Sequence, residues 1–230
     1  MRLTTSTNFR PVTALRPRTL YRSDHLGALN ADDAAQIQAL GIRRVLDFRG
    51  VDERTSAACV LPDVTVHSLP IEPSVVQKLN DIISTGRQLM PGDVVENMQD
   101  TYRGFVRDNT PRFAEFFAHL LASGEPTVFH CTAGKDRTGF AAALLLRALD
   151  VPQDVVMHDY LLTNERLEMP AVSRYGLAPE VMAVLWRVQP EFLRASFDEA
   201  DARYGSLDGY LRDGLGLGPA ERARLGELYM

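Results

Sequence analysis

Pro126-Thr127-Val128-Phe129-His130-Cys131-Thr132-Ala133-Gly134-Lys135-Asp136-Arg137-Thr138-Gly139 runs directly into the Ala- and Leu-rich stretch Phe140 to Leu149. Thr127 to Phe129 is a short apolar run of β-branched and aromatic type, so it reads as a buried strand. The residues from about Arg137 to Leu149 read as a long helix, which Asp150-Val151-Pro152 ends. Strand, tight loop and helix thus follow within two dozen residues. The first backbone N–H groups of a helix have no partner inside it, and they point at whatever the loop holds. The helix dipole adds positive charge at the same place. An anion, and a phosphate above all, is well solvated there.

Five residues separate Cys131 from Arg137, with glycine at 134 and 139. Gly134 permits backbone angles that a side chain forbids. Arg137 can grip two phosphate oxygens with its fork, and Lys135 adds a second cation. The positive field favours a thiolate at Cys131, which is the form that attacks phosphorus. A lone cysteine at a strand end is ordinarily a small buried hydrophobe. Here it coincides with a preceding His130, two glycines, Arg137, the hydroxyl of Thr138 and the strand-loop-helix setting, and that conjunction outweighs the plainer reading.

Outward from the loop, Leu20 to Arg22, Ile42 to Phe48 and Val64 to Leu69 read as strands. Ala31 to Leu40 reads as a helix capped by Asn30, with Asp32 and Asp33 at its positive end. Pro73, Gly86, Pro91 and Gly92 punctuate the stretch from 73 to 108, which suggests an insertion that covers the pocket, with one helix over Val94 to Val106. Pro111 opens a helix whose face carries Phe113, Phe116, Phe117, Leu120 and Leu121. After a helix from Gln153 to about Thr163, residues 166–230 read as helical: Pro179 to Val188, Pro190 to Tyr204, Leu207 to Leu215 and Pro219 to Leu228. The class is therefore α/β, a single sheet flanked by helices in one domain over 1–230, with a helical C-terminal part.

The net charge of -5 argues against a broad nucleic-acid face. Two cysteines, Cys59 and Cys131, make no disulfide framework, and no Cys/His cluster suggests a metal or another cofactor. The apolar residues around Cys59 make it a buried bystander. The first residues lack the apolar run of a signal peptide, and no stretch is long enough to span a bilayer, so the expectation is cytoplasmic, with leaderless export left open. The sequence carries no signature of oligomeric state.

The loop resembles the H-C-x-x-G-x-x-R-[ST]-G signature of the protein tyrosine phosphatase superfamily. Its Gly134-Lys135-Asp136-Arg137 form is similar to a bacterial branch of tyrosine and dual-specificity phosphatases, some of which act on phosphoinositides. Asn8-Phe9-Arg10, Tyr21-Arg22-Ser23, Ile42 to Arg49 with Asp52-Glu53-Arg54, and Asp159-Tyr160-Leu161-Leu162-Thr163-Asn164 resemble further segments of that branch, although Pro11 stands where the branch has Asp. The resemblance spans about residues 8 to 165 and implies a cysteine phosphatase fold that cleaves phosphotyrosine through a phosphocysteine. Phosphoserine and phosphothreonine are further candidate substrates, and phosphoinositides or inositol polyphosphates are the alternative. It makes Cys131 the nucleophile and has Thr132, Ala133, Gly134, Lys135, Asp136 and Arg137 bind substrate. Thr138 serves the cysteine sulfur, and His130, Asp159 and Asn164 support the loop. The superfamily takes its general acid from an Asp on an earlier loop, for which Asp100, Asp93 and Asp63 are candidates; the branch also offers Asp136, which we favour. Asp47 and Arg49 read as a structural polar network.

Overall fold

The computed structural model describes residues 3–72, 74–169 and 177–230. Five strands form one sheet: β1 (Arg10–Pro11), β2 (Leu20–Ser23), β3 (Arg44–Asp47), β4 (Thr65–Ser68) and β5 (Thr127–His130), in the order β1-β2-β5-β3-β4. β2, β5, β3 and β4 are parallel, and β1 joins the edge antiparallel. Around the sheet lie α1 (Ala31–Ala39), α2 (Val51–Ser56), α3 (Ser74–Ser84), α4 (Pro91–Arg107), α5 (Thr110–Ala122), α6 (Asp136–Ala148), α7 (Gln153–Leu161), α8 (Thr163–Arg166), α9 (Pro179–Trp186), α10 (Pro190–Tyr204), α11 (Leu207–Gly209) and α12 (Pro219–Tyr229). The fold is thus the expected single sheet flanked by helices.

Side chains alternate across the strands and divide the core in two. Leu20, Leu46 and Phe129 face the larger part, while Tyr21, Val45 and Val128 face a smaller one with Phe9, Leu26, Ile37 and Ile42. All four residues of β5 are buried, as befits a central parallel strand. α6 is buried nearly all round, from Arg137 to Leu146, which explains its dense Ala and Leu. α5 turns Phe113, Phe116, Phe117 and Leu120 inward as its sequence spacing requires, and Phe113 meets Phe140 edge to face, with centroids 4.9 Å apart.

Some elements differ from the sequence reading. The short β1 and α2 have no hydrophobic period to announce them. Leu207 to Leu215 is not one α-helix: a π-helical turn, Tyr210–Gly214, follows α11 and seats Tyr210 and Leu211 in the core. The stretch from 73 to 108 is mostly helical, formed by α3 and α4. Pro73 lies outside the described residues, as do residues 170–176 of the helical C-terminal part. α4 is a core helix, with Val94, Met98, Tyr102, Phe105 and Val106 buried. α3 and Met98 of α4 line the cavity beside the loop. No helix among the described residues is long and apolar enough to cross a membrane.

Candidate active site

The chain crosses from β2 to β3 over β5, so the strand order reverses at β5. The crevice beyond the carboxyl end of such a strand is where open parallel sheets hold ligands. The loop from His130 to Arg137 fills it. Its carbonyls are all turned outward, each onto a donor: His130 O accepts from Phe48 N (2.8 Å), Thr132 O from His25 N (2.9 Å) and Lys135 O from Gly139 N (3.0 Å). Asn8 Nδ2 donates to Ala133 O (2.9 Å) and Gly134 O (3.0 Å), and Arg22 Nη2 donates to Gly134 O (3.1 Å). Cys131 O takes the Nδ1 proton of His130 at 3.0 Å. In a peptide unit the N–H points opposite to the C=O, so the amides of the loop face inward as an anion nest. Gly134 sits at φ +63°, where a Cβ would fall 2.3 Å from Ser23 O, so only glycine fits there.

Cys131 is buried at the floor of the loop. Arg137 is held by Glu53 of α2, a residue to which the sequence reading gave no role. Nη1 and Nη2 of Arg137 donate to the two Glu53 carboxylate oxygens at 2.7 and 2.9 Å, and Nη1 also reaches Ile71 O at 2.8 Å. Glu53 further accepts from Thr132 Oγ1 and from Gly50 N. Burial alone would raise the Glu53 carboxyl, but the Arg137 fork overcomes it and holds the group at about 2. Burial works against the charge on Arg137, yet Glu53 and the Cys131 sulfur drive its affinity for the proton above the ordinary value.

Asp136 opens α6 with its carboxylate partly exposed. Tyr102 of α4 donates its hydroxyl to Oδ1 at 3.0 Å, Tyr160 of α7 lies 2.7 Å from Tyr102, and Lys135 Nζ is 3.3 Å from Oδ2. Lys135 is buried and donates to Leu185 O at 2.6 Å, so it is not a solvated surface lysine. Beside Ala133, Lys135 and Asp136 opens a cavity of about 170 Å³ with apolar walls: Leu79 and Ile83 of α3, Met98 of α4, and Leu185 and Trp186 of α9. The other candidate acids lie elsewhere. Asp100 pairs with Arg107 on the open side of α4, Asp93 caps α4 through Met90 N and pairs with Arg87, and Asp63 sits in the turn before β4.

Of the expected supports, Asp159 braces the loop through Arg22, whose Nη1 meets its Oδ2 at 2.6 Å, and it also takes the hydroxyl of Thr13 at 2.8 Å. Both charges are buried, so each depends on the other. His130 is fully buried, and burial pulls its imidazole down to about 4, with Asp47 opposing; it is neutral and spends its Nδ1 proton on Cys131 O. Asn164 makes its side-chain bonds to Val188 N and O, both at 2.8 Å, so it pins the link between α9 and α10 instead of the loop. Thr138 Oγ1 is buried with no hydrogen-bond partner. Asp47 and Arg49 form a buried pair at 2.8 Å. Cys59 is half-buried beside them, with its thiol pushed up to about 11 by burial, and both cysteines are free. Among the described residues no group of three or more His, Cys, Asp or Glu side chains is placed to hold a metal ion.

An anion nest closed by a cysteine and a clamped arginine, at the switch point of a parallel sheet, defines a cysteine-dependent phosphatase. The model of the tyrosine phosphatase family matches residues 3–230, and the chain belongs to that family. It is a protein-tyrosine phosphatase, a hydrolase of phosphoric monoesters. A protein of Cupriavidus necator assigned as a tyrosine-protein phosphatase is 37% identical over 212 residues, which cover 87% of this chain and 76% of its own. The triple specificity protein phosphatase PtpB of Mycobacterium tuberculosis is 34% identical over 249 residues, covering 90% of each chain. A tyrosine-protein phosphatase of Nostoc commune is 29% identical over 160 residues, 68% of this chain and 52% of its own.

Proposed function

We infer that Cys131 attacks the phosphorus of a phosphotyrosine side chain, with Asp136 as the acid for the leaving phenoxide. The S–P bond forms as the P–O bond breaks, and the departing oxygen takes its proton from Asp136. Arg137 spends its Nη1 protons on Glu53 and Ile71 and one Nη2 proton on Glu53, which leaves the Nε proton and the second Nη2 proton for two equatorial phosphate oxygens. The inward amides of Thr132 to Asp136 stabilise the charge that builds on those oxygens. In the second step the Asp136 carboxylate takes a proton from water, the water oxygen bonds to phosphorus, and Cys131 leaves as a thiolate. Thr138 has a buried hydroxyl still free to donate to that sulfur, which supports its assignment to this step.

The single observation that carries the reading is the set of outward carbonyls on the Cys131 loop, because it supports an anion seat beside the sulfur. The apolar cavity beside Asp136 suits an aromatic leaving group. A second reading rests on Lys135. A buried ammonium next to the nest favours substrates with a second phosphate, such as phosphoinositides, and the relative from Mycobacterium tuberculosis is named for triple specificity. Thiols stay reduced in the cytoplasm, which favours action there. The test is Cys131→Ser. Turnover disappears and binding of a phosphotyrosine peptide remains, because the nest and Arg137 are intact; appreciable turnover in that variant excludes the covalent route.

A further inference from the structure

Tyr102 and Tyr160 are fully buried, on two different helices, and their hydroxyls lie 2.7 Å apart. A buried hydroxyl left without an acceptor costs roughly 1–3 kcal/mol, so this pair needs an acceptor at one end. That acceptor is Asp136 Oδ1, 3.0 Å from the Tyr102 oxygen. Tyr102 has one proton and gives it to Asp136, so Tyr160 must donate to Tyr102. The chain of donors therefore runs Tyr160 to Tyr102 to Asp136 and ends on the one carboxylate of the loop.

We propose that Tyr102, backed by Tyr160, is a positioning residue for Asp136: it occupies Oδ1 and so assigns Oδ2 to carry the proton to the leaving group. The inference rests on Asp136 being the acid. Its geometry is anchored in the core. The Tyr102 ring packs against Phe105 at 5.0 Å, Phe192 at 6.0 Å and Tyr160 at 6.3 Å between centroids, so its hydroxyl has little freedom. Gly139 lets Tyr160 approach α6, since a Cβ there would lie 3.0 Å from the Tyr160 ring. Asp136 lines the cavity, and its Oδ2 is the oxygen that Tyr102 does not hold, with Lys135 Nζ at 3.3 Å. A carboxyl group free to rotate would present either oxygen, in either orientation, and lose the alignment that proton transfer requires.

The experiment compares kcat on a phosphotyrosine peptide, whose leaving group needs a proton, with kcat on an activated aryl phosphate, whose leaving group does not. Tyr102→Phe should slow the peptide about tenfold or more and the activated ester less than about threefold, a fraction of the roughly 10²–10⁴-fold that an acid supplies. Asp136→Asn should show the same selectivity more strongly, and adding Tyr102→Phe to it should cost little more. Peptide affinity, measured in the Cys131→Ser background, should not change with Tyr102→Phe. Equal slowing of both substrates by Tyr102→Phe, or an effect that adds in full to Asp136→Asn, overturns the positioning role alone. Loss of selectivity in Asp136→Asn overturns the acid assignment and the inference with it. If Tyr102→Phe does not fold, Tyr160→Phe takes its place, with a smaller loss of the same selective pattern expected; an unselective loss, or none, overturns the proposal.

Discussion

Replacing Glu53 with Gln tests whether the clamp on Arg137 is what makes the loop a catalyst. The substitution keeps the shape and removes the charge, and it turns an amide donor toward the arginine fork. The carboxyl sits at about 2 where 4.5 is ordinary, and at about 1.36 kcal/mol per pH unit that corresponds to roughly 3 kcal/mol. The Glu53 side chain is 21% exposed, so solvent screening brings the expected loss nearer to about 2 kcal/mol. The direction with pH follows from the depressed value. Charged Glu53 stabilises the fold fully above about pH 4.5, and that contribution drains away as the pH falls toward 2. Denaturant unfolding at pH 7 should therefore show Glu53→Gln less stable by about 2 kcal/mol, with the gap closing on acidification through that window. In activity, an arginine displaced by an ångström costs on the order of 10²-fold, so kcat/KM should fall by one to two powers of ten. Wild-type kcat/KM in the variant, or a stability gap that stays constant between pH 7 and 3, refutes the clamp.

His130 gives a pH signature of the same sign in a higher window: the unfolded chain takes a proton near 6.5 and the folded one only near 4, so stability should fall by up to about 3 kcal/mol as the pH drops between those values. Unfolding curves of His130→Asn over the same range should lack that slope. Gly134→Ala places a methyl group 2.3 Å from a backbone oxygen at a positive φ, and it should abolish phosphate binding by isothermal titration while the circular dichroism of the helices survives. Activity should be unaffected by a chelator, since the chemistry is assigned to Cys131, Arg137 and Asp136; loss on EDTA treatment that a divalent ion restores would count against that assignment.

The loop and its flanking strand and helix were legible because everything they need is contiguous: an apolar run, a glycine where φ is positive, and a cysteine and arginine at fixed spacing. β5 and α6 sit within a residue or two of where periodicity puts them. The supports were not legible in the same way. Glu53 lies 84 residues from the arginine it holds, Asn8 is 126 residues from Gly134, and Tyr102 is 34 from Asp136. No local pattern reports such pairings. Glu53 stands in the first turn of α2, where an acidic residue suits the helix N-terminus, but that does not name its partner. Asp159 could be given a bracing role because it follows the loop helix closely, whereas Asn164 on the same segment turns to Val188, a difference set by tertiary packing.

The separation has a physical cause. A nest of inward amides is stable only while its carbonyls are satisfied from outside, and the six carbonyls from His130 to Lys135 draw their donors from Asn8, Arg22, His25, Phe48, His130 and Gly139. The same scattered elements then fix the reacting groups: α2 holds Arg137, α4 and α7 hold Asp136, and His130 holds the Cys131 carbonyl. Each reacting side chain is therefore placed by a different part of the core. A change in any one support should alter one function of the site, anion binding, proton transfer or the attitude of the sulfur, before it unfolds the whole. That separability is what Glu53→Gln, Tyr102→Phe and His130→Asn measure, one support at a time.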